Sequence, residues 1–211
     1  MFPRTLSVSA QNTLALLGKQ DFLKQTYLAG GSSLALQLGH RRSIDFDFFT
    51  NEPFELIDIK TNLNKIGVYQ GEYETPKTIV GKFNEAKFSL FYYPYKLIAE
   101  TTDYQGINLA NYEDIAAMKL VAITDRGTKK DYIDLYFLAN KCFSIEKMFN
   151  FYDKKYHNFE INKVTLLKAL QYFEDADESE MPEMIEKINW EEVKKFFQKE
   201  VVRIAEKYLS S

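Results

Sequence analysis

Cysteine occurs once in this chain, at Cys142, and histidine twice, at His40 and His157. One thiol excludes an intramolecular disulfide and fits a reducing compartment, so a cytoplasmic location is expected. So few soft ligands leave no basis for a Cys/His zinc centre. No apolar run approaches the roughly 18 residues that a membrane-spanning helix needs. The N-terminus, MFPRTLSVSAQNTLALLG, lacks a basic stretch leading into a continuous apolar one. No membrane partner is therefore expected. The net charge of −3 argues against a general nucleic-acid coat protein, while a local basic patch stays open. Internal repeats and low-complexity tracts are missing too, as are a G-x-S-x-G elbow, a G-x-x-x-x-G-K-[ST] loop and a Ser/His/Asp set.

What is present is apolar and aromatic. Hydrophobic residues make up 45% of 211, including 17 Phe and 14 Tyr, enough for a packed core in one large domain or a domain with a helical appendage. The pattern predicts a helix from about Ser7 to Lys24, with Leu14, Leu17 and Phe22 inward. A short strand follows at Tyr27–Ala29, then a helix with Ser32 as N-cap and Gly39 as its stop. Ile44–Phe49 reads as a strand too apolar to be an exposed edge, and Pro53 as the opening of a helix to about Ile66. Period-2 alternation from Val68 to Tyr93 predicts two or three antiparallel strands, the clearest being Lys87–Tyr93, and Ile107–Leu109 one more. Everything after Asn111 reads as helical, with an acidic connection at Glu174–Met184. A last helix carries Trp190, Val193, Phe197, Val201, Ile204 and Tyr208 on one stripe. The expected class is α+β: a small mixed sheet flanked by helices, followed by a C-terminal helical bundle.

Two constellations carry chemistry. In the first, YLAGGSSLALQLGHRRSIDFDFFT, a glycine-led helix start at Gly30, Gly31, Ser32 and Ser33 precedes a strand with Asp45 and Asp47. Free amides and the helix dipole at such a start favour anions. Alternate residues of a strand share a face, so the two acids lie side by side. Acids inside an apolar strand are costly unless paired or coordinated, and carboxylate oxygens suit Mg²⁺ or Mn²⁺ sharing its coordination with phosphates. The bland alternative is a tight turn followed by two solvated acids.

The second constellation is DIAAMKLVAITDRGTKKDYIDLYFL, Asp114 to Leu138. Lys119 is the one charge among the otherwise apolar residues Ile115–Ile123; it snorkels, or it faces a polar pocket such as triphosphate oxygens. Arg126, Lys129 and Lys130 surround Gly127 as a cationic loop. Asp131 and Asp134, three apart, share a helix face. Either pairs with Lys119 or Arg126, or acts as a general base toward an incoming hydroxyl. His40 reads equally as a phosphate ligand or a helix cap, His157 as surface, and Cys142 and Trp190 as core.

Together GGSSLALQLGHRRSIDFDFF and the downstream lysine followed by R-G-x-K-K-D-x-x-D-L resemble the AbiEii/AbiGii toxin family of nucleotidyltransferases, within the DNA polymerase β-like superfamily. The similarity spans roughly Tyr27 to Leu138, with little carried by the helical C-terminal third. The resemblance implies a nucleotidyltransferase core at 1–110 and a helical domain at 111–211 that packs on it and contributes Lys119 and Asp131. It implies that Gly31 and Ser32 hold the triphosphate, Asp45 and Asp47 bind metal, Lys119 contacts the nucleotide, Asp131 matches the downstream acid with Asp134 close by, and Arg41 is the customary basic residue. The implied activity is Mg²⁺- or Mn²⁺-dependent transfer from an NTP to a tRNA or other RNA end, or to a protein hydroxyl, by a toxin with a cognate antitoxin. One departure stands out: Ser89 occupies the position where many superfamily members carry a third strand carboxylate. That favours the competing reading, a non-catalytic nucleotide- or partner-binding module. A metal-dependent hydrolase using the same acids on water is a third.

Overall fold

A computed structural model describes residues 1–157 and 162–209, the side chains of 208 and 209 excepted. The chain divides into two compact units, Met1–Asn111 and Tyr112–Ser211.

The first unit begins with a 3-10 turn, Pro3–Thr5, and helix α1, Val8–Leu17. The Ser7 hydroxyl caps α1 by accepting from the Ala10 N–H. The helix stops at Gly18 rather than near Lys24, and a 3-10 turn at Asp21–Leu23 brings Leu23 into the core. The cause is tertiary. A Cβ on Gly18 would lie 2.1 Å from the Gln105 carbonyl oxygen, and one on Gly106, at φ +82°, would lie 2.3 Å from that of Gly18. Two backbones meet where no side chain fits.

Strand β1, Tyr27–Ala29, helix α2, Gly30–Leu38, and strand β2, Asp45–Thr50, come next. Gly39 ends α2 in the left-handed region, as expected. Ser32 is not the N-cap; Ala29 is. Helix α3, Leu56–Ile66, starts three residues after Pro53, with Glu55 as its N-cap. Three antiparallel strands follow, β3 (Tyr69–Thr75), β4 (Thr78–Phe83) and β5 (Ala86–Tyr92). Then come β6, Thr102–Tyr104, which the sequence pattern does not announce, and β7, Ile107–Leu109.

All these strands form one mixed sheet in the order β3-β4-β5-β2-β1-β7-β6. β2 is interior, antiparallel to β1 and parallel to β5, which accounts for its apolar composition. Alternation buries Phe46, Phe48 and Thr50 on one face and leaves Asp45, Asp47 and Phe49 half-buried on the other. The core lies on the Phe46/Phe48 side with Leu14, Leu17, Leu63 and Phe88. Each such side chain contributes about 1.5–3 kcal/mol by leaving water. The face with the acids is thus released from holding the core together.

The second unit is helical: α4 (Tyr112–Asp125), α5 (Lys129–Lys141), α6 (Ile145–Lys155), α7 (Lys163–Ala169), α8 (Glu174–Glu178) and α9 (Trp190–Leu209). The acidic stretch expected as a plain connection therefore contains one short helix. α9 buries Val193, Phe197, Val201 and Ile204 as its stripe requires. Trp190 and Cys142 are half-buried rather than core, His157 is exposed, and the Tyr208 side chain lies outside the described residues. Tyr132 anchors this unit, with the rings of Phe173, Phe197 and Trp190 at 5.2, 5.6 and 5.8 Å.

Two buried ionic clusters lie within these helices. Lys155 and Asp114 pair at 2.6 Å with both side chains fully buried. Burial pulls the Lys155 ammonium pKa below its ordinary value, against the opposing pull of Asp114. Lys119 reaches Asp131 at 2.8 Å and Asp134 at 2.7 Å, tying α4 to α5. Asp131 also accepts from Arg126 Nε at 3.1 Å and from the Thr128 hydroxyl at 2.7 Å. Burial alone would raise its carboxyl pKa, but Lys119 and Arg126 outweigh that and hold it well below the usual carboxylate range.

Removing one partner of a buried pair costs more than removing both. Asp114→Ala is expected to destabilise by about 3–5 kcal/mol in urea unfolding, while Asp114→Leu combined with Lys155→Met stays closer to the parent. Asp131 has a depressed folded pKa, so its contribution is fully present above the free carboxylate value of about 3.9 and is lost as pH falls below it. Urea midpoints between pH 7 and pH 3 should therefore fall less steeply at the acid end in Asp131→Asn, which starts from lower stability at pH 7.

Candidate active site

The sheet register aligns the acids with their neighbours. Asp47 lies between Ala29 on β1 and Ser89 on β5, and Asp45 lies beside Lys87. Ser89 thus stands where a third strand carboxylate would join the pair. The Asp45 carboxylate enters no hydrogen bond or ion pair among the described residues.

Next to the acids is the start of α2. Gly30 has φ +69°, and a Cβ there would sit 3.3 Å from Asp47 Oδ2, so glycine serves both the backbone and the carboxylate beside it. A Cβ on Gly31 would lie 2.4 Å from Arg41 Nη2 and 3.3 Å from the Ser43 hydroxyl. The Arg41 guanidinium, nearly fully buried and donating to the Arg42 carbonyl at 3.0 Å, therefore lies against the first turn of the helix. No side chain caps that turn. Positive dipole end, orphan amides and a guanidinium meet at one place, which is the electrostatics of an anion site.

Ser32 plays a different part from the one its position suggests. Its hydroxyl lies 2.5 Å from the Asp45 carbonyl oxygen and 2.9 Å from the Ser43 hydroxyl. A hydroxyl has one proton, and a carbonyl can only accept, so Ser32 donates to Asp45 and accepts from Ser43. The contact ties the first turn of α2 to the first residue of β2. Ser33 is buried and accepts from the Gln37 amide at 3.1 Å. The backbone amides of Gly31 and Ser32, more than these hydroxyls, are left to hold phosphate. His40 is fully buried, with Gly39 before it as the C-cap.

The donor set suits a hard cation. Two carboxylates two residues apart on one strand face supply oxygen ligands, and Mg²⁺ takes its remaining positions from water and phosphate. Among the described residues no group of three or more His, Cys, Asp or Glu could hold a metal by itself. A metal held jointly with a triphosphate fits these residues; one held by protein alone does not.

Of the second set, Lys119, Asp131, Asp134 and Arg126 are together in the ionic cluster of α4 and α5. Asp131 as a general base needs correcting. A base must accept a proton near working pH, and this carboxylate is held ionised far below that by two cations. Of the sequence alternatives, ion pairing is the one observed for Lys119, Asp131 and Arg126. Sequence reading missed Ser43 and Lys87, whose relation to the site depends on register.

Comparison with known proteins gives the family and the fold. The family model described as Nucleotidyl transferase AbiEii toxin, Type IV TA system, matches residues 91–207, more than half of the chain. That stretch includes Asp114–Leu138 and the C-terminal helices, where little similarity was expected, and excludes Tyr27–Thr50. An uncharacterized protein of Aquifex aeolicus (strain VF5) is 41% identical over 180 residues, 83% of this chain and 85% of that one. The crystal structure of JHP933 from Helicobacter pylori matches with a TM-score of 0.55 at 19% identity, covering 97% of each chain. The nucleotidyltransferase toxin MenT4 of Mycobacterium tuberculosis matches with a TM-score of 0.51 at 13% identity, over 93% of this chain and 86% of that one. At these identities the likeness to the solved structures is one of fold, and it is the α+β fold expected. Among the described residues no helix is long and apolar enough to cross a membrane. The chain belongs to the AbiEii family of nucleotidyl transferase toxins, described as a type IV toxin–antitoxin system.

Proposed function

We propose that this chain transfers a nucleotidyl group from an NTP to an acceptor hydroxyl, on an RNA end or a protein side chain, with a divalent metal, and acts as a toxin held in check by an antitoxin. The observation that carries the reading is the pair Asp45 and Asp47 on one face of β2, with Asp47 beside Gly30 and the Arg41 guanidinium against Gly31.

Asp45 and Asp47 would hold Mg²⁺ or Mn²⁺, which supplies charge neutralisation on the triphosphate and the leaving pyrophosphate. The amides at Gly31 and Ser32 and the Arg41 guanidinium bind and orient the phosphates. The Ser32–Asp45 contact keeps that cradle at a fixed distance from the acids. Within the helical unit Asp131 and Asp134 position the Lys119 ammonium. Transfer of this kind depends mostly on placement and electrostatics, so a short list of residues suffices. Ser89 beside Asp47 favours a second reading, a binding-only module on the same fold.

Incubating the purified chain with each labelled NTP, Mg²⁺ and a cell extract separates the two. Label should appear on an acceptor and vanish with chelator; nucleotide binding without any transfer would leave only the second reading. Asp47→Ala is expected to lower transfer by more than the roughly 10–100-fold typical of residues that merely orient metal ligands, with its thermal unfolding close to the parent's. A rate equal to the parent's would remove Asp47 from the site. Gly31→Ala pushes a methyl onto Arg41 Nη2, so its NTP affinity in a Mg²⁺ titration should fall at least roughly tenfold, the scale of one lost hydrogen bond to a charged group, about 1.5–3 kcal/mol.

A further inference from the structure

The register that places Asp45 and Asp47 also orders what lies beside them on the same sheet face. Residues paired across strands share a face, so one row crosses β2, β5, β4 and β3 as Asp45, Lys87, Lys82 and Gln70. The next row reads Asp47, Ser89, Val80 and Tyr73.

Three properties of these rows need a common explanation. Lys82 and Lys87 are directly opposite each other, an arrangement that repels unless an anion lies between or above them. Both are exposed, and neither enters a hydrogen bond or ion pair among the described residues, although the Asp45 carboxylate stands next to Lys87 in register. The nearby Glu85 accepts instead from the Ser9 hydroxyl, and Glu74, which alternation places toward the other face, pairs with Lys60 on α3. Tyr73 presents 60% of its surface to solvent from within a sheet strand, flush with the same face. Two adjoining cations with an exposed aromatic beside them match what a single strand of nucleic acid uses: ammonium groups on its phosphates and a ring under a base.

We infer that this face of β3, β4 and β5 is the track for a single-stranded polynucleotide acceptor, its phosphates on Lys82 and Lys87 and a base on Tyr73, leading its end toward Asp45 and Asp47. The inference rests on the nucleotidyl-transfer reading for the location of the chemistry, and it selects a nucleic acid over a protein as acceptor.

The test measures binding of a labelled single-stranded RNA, and of a DNA of the same sequence, to the full chain by fluorescence anisotropy without NTP or metal, across a salt series. Lys82→Gln with Lys87→Gln should weaken binding at least roughly tenfold at low salt and flatten the slope of log K against log salt by about 1.4, about 0.7 for each lost phosphate contact. Tyr73→Ala should weaken it roughly fivefold or more. The RNA and DNA arms show which strand the track takes. Variants that bind both strands as the parent does, or a parent that binds neither, overturn the inference. A chain that binds through these residues yet transfers no nucleotide sinks the transfer reading alone. Transfer onto protein, at the parent rate in the double lysine variant, sinks the polynucleotide track and leaves the transfer reading standing.

Discussion

An interior strand cannot hide its side chains at an edge, and that constraint organises the first unit. β2 has β1 on one side and β5 on the other, so whatever it carries goes to one sheet face or the other. Phe46 and Phe48 take the core face, and Asp45 and Asp47 are thereby forced together onto the opposite one. Two carboxylates so placed repel until positive charge arrives. The neighbouring helix start supplies part of it through its dipole and amides, and Arg41 supplies more. Everything assigned to nucleotide binding follows from bringing α2 and β2 to the same point, and the Ser32 hydroxyl on the Asp45 carbonyl does this directly.

Much of this was legible in the chain because short-range rules govern it. Tyr27–Ala29, the Gly39 stop, the parity of Asp45 and Asp47 and the stripe of α9 each depend on residues within a turn or a strand's length. What escaped depends on partners distant in sequence. The apolar pattern runs on past Gly18, and only the approach of Gln105 and Gly106 shows why the helix ends there. Ser32 looks like a cap because serine often is one; it faces β2 instead, and Ala29 takes the cap position. Pro53 is suited to a first helical turn, yet α3 waits until Leu56. The row from Asp45 through Lys87 to Lys82 joins three strands and exists only once their register is fixed.

The acids of the second unit behave differently from those of the first, and the contrast bears on what each is for. Lys119 and Arg126 stand against Asp131 and Asp134, two positive charges for two negative, with Thr128 donating to the same set. Lys155 and Asp114 pair with each other, both buried. Such closed sets are no great source of stability, since desolvation consumes most of the attraction, but breaking one is severe, and this fixes the helices in one arrangement.

Asp45 on β2 and Lys82 and Lys87 beside it form an open set. Asp45 and Lys87 are one strand apart, with Lys82 on the next strand, yet none of the three closes an ion pair among the described residues. A fold selected for stability alone would gain little from leaving them so, because an exposed pair costs little and returns up to about 1 kcal/mol. Charge left unmatched at Asp45, Lys82 and Lys87, on a face already relieved of core packing, is available to groups from outside: a cation at Asp45, phosphate at the lysines. The separation of closed ionic sets in the helices from open ones on the sheet face is the physical division between what holds this protein together and what it presents to a substrate.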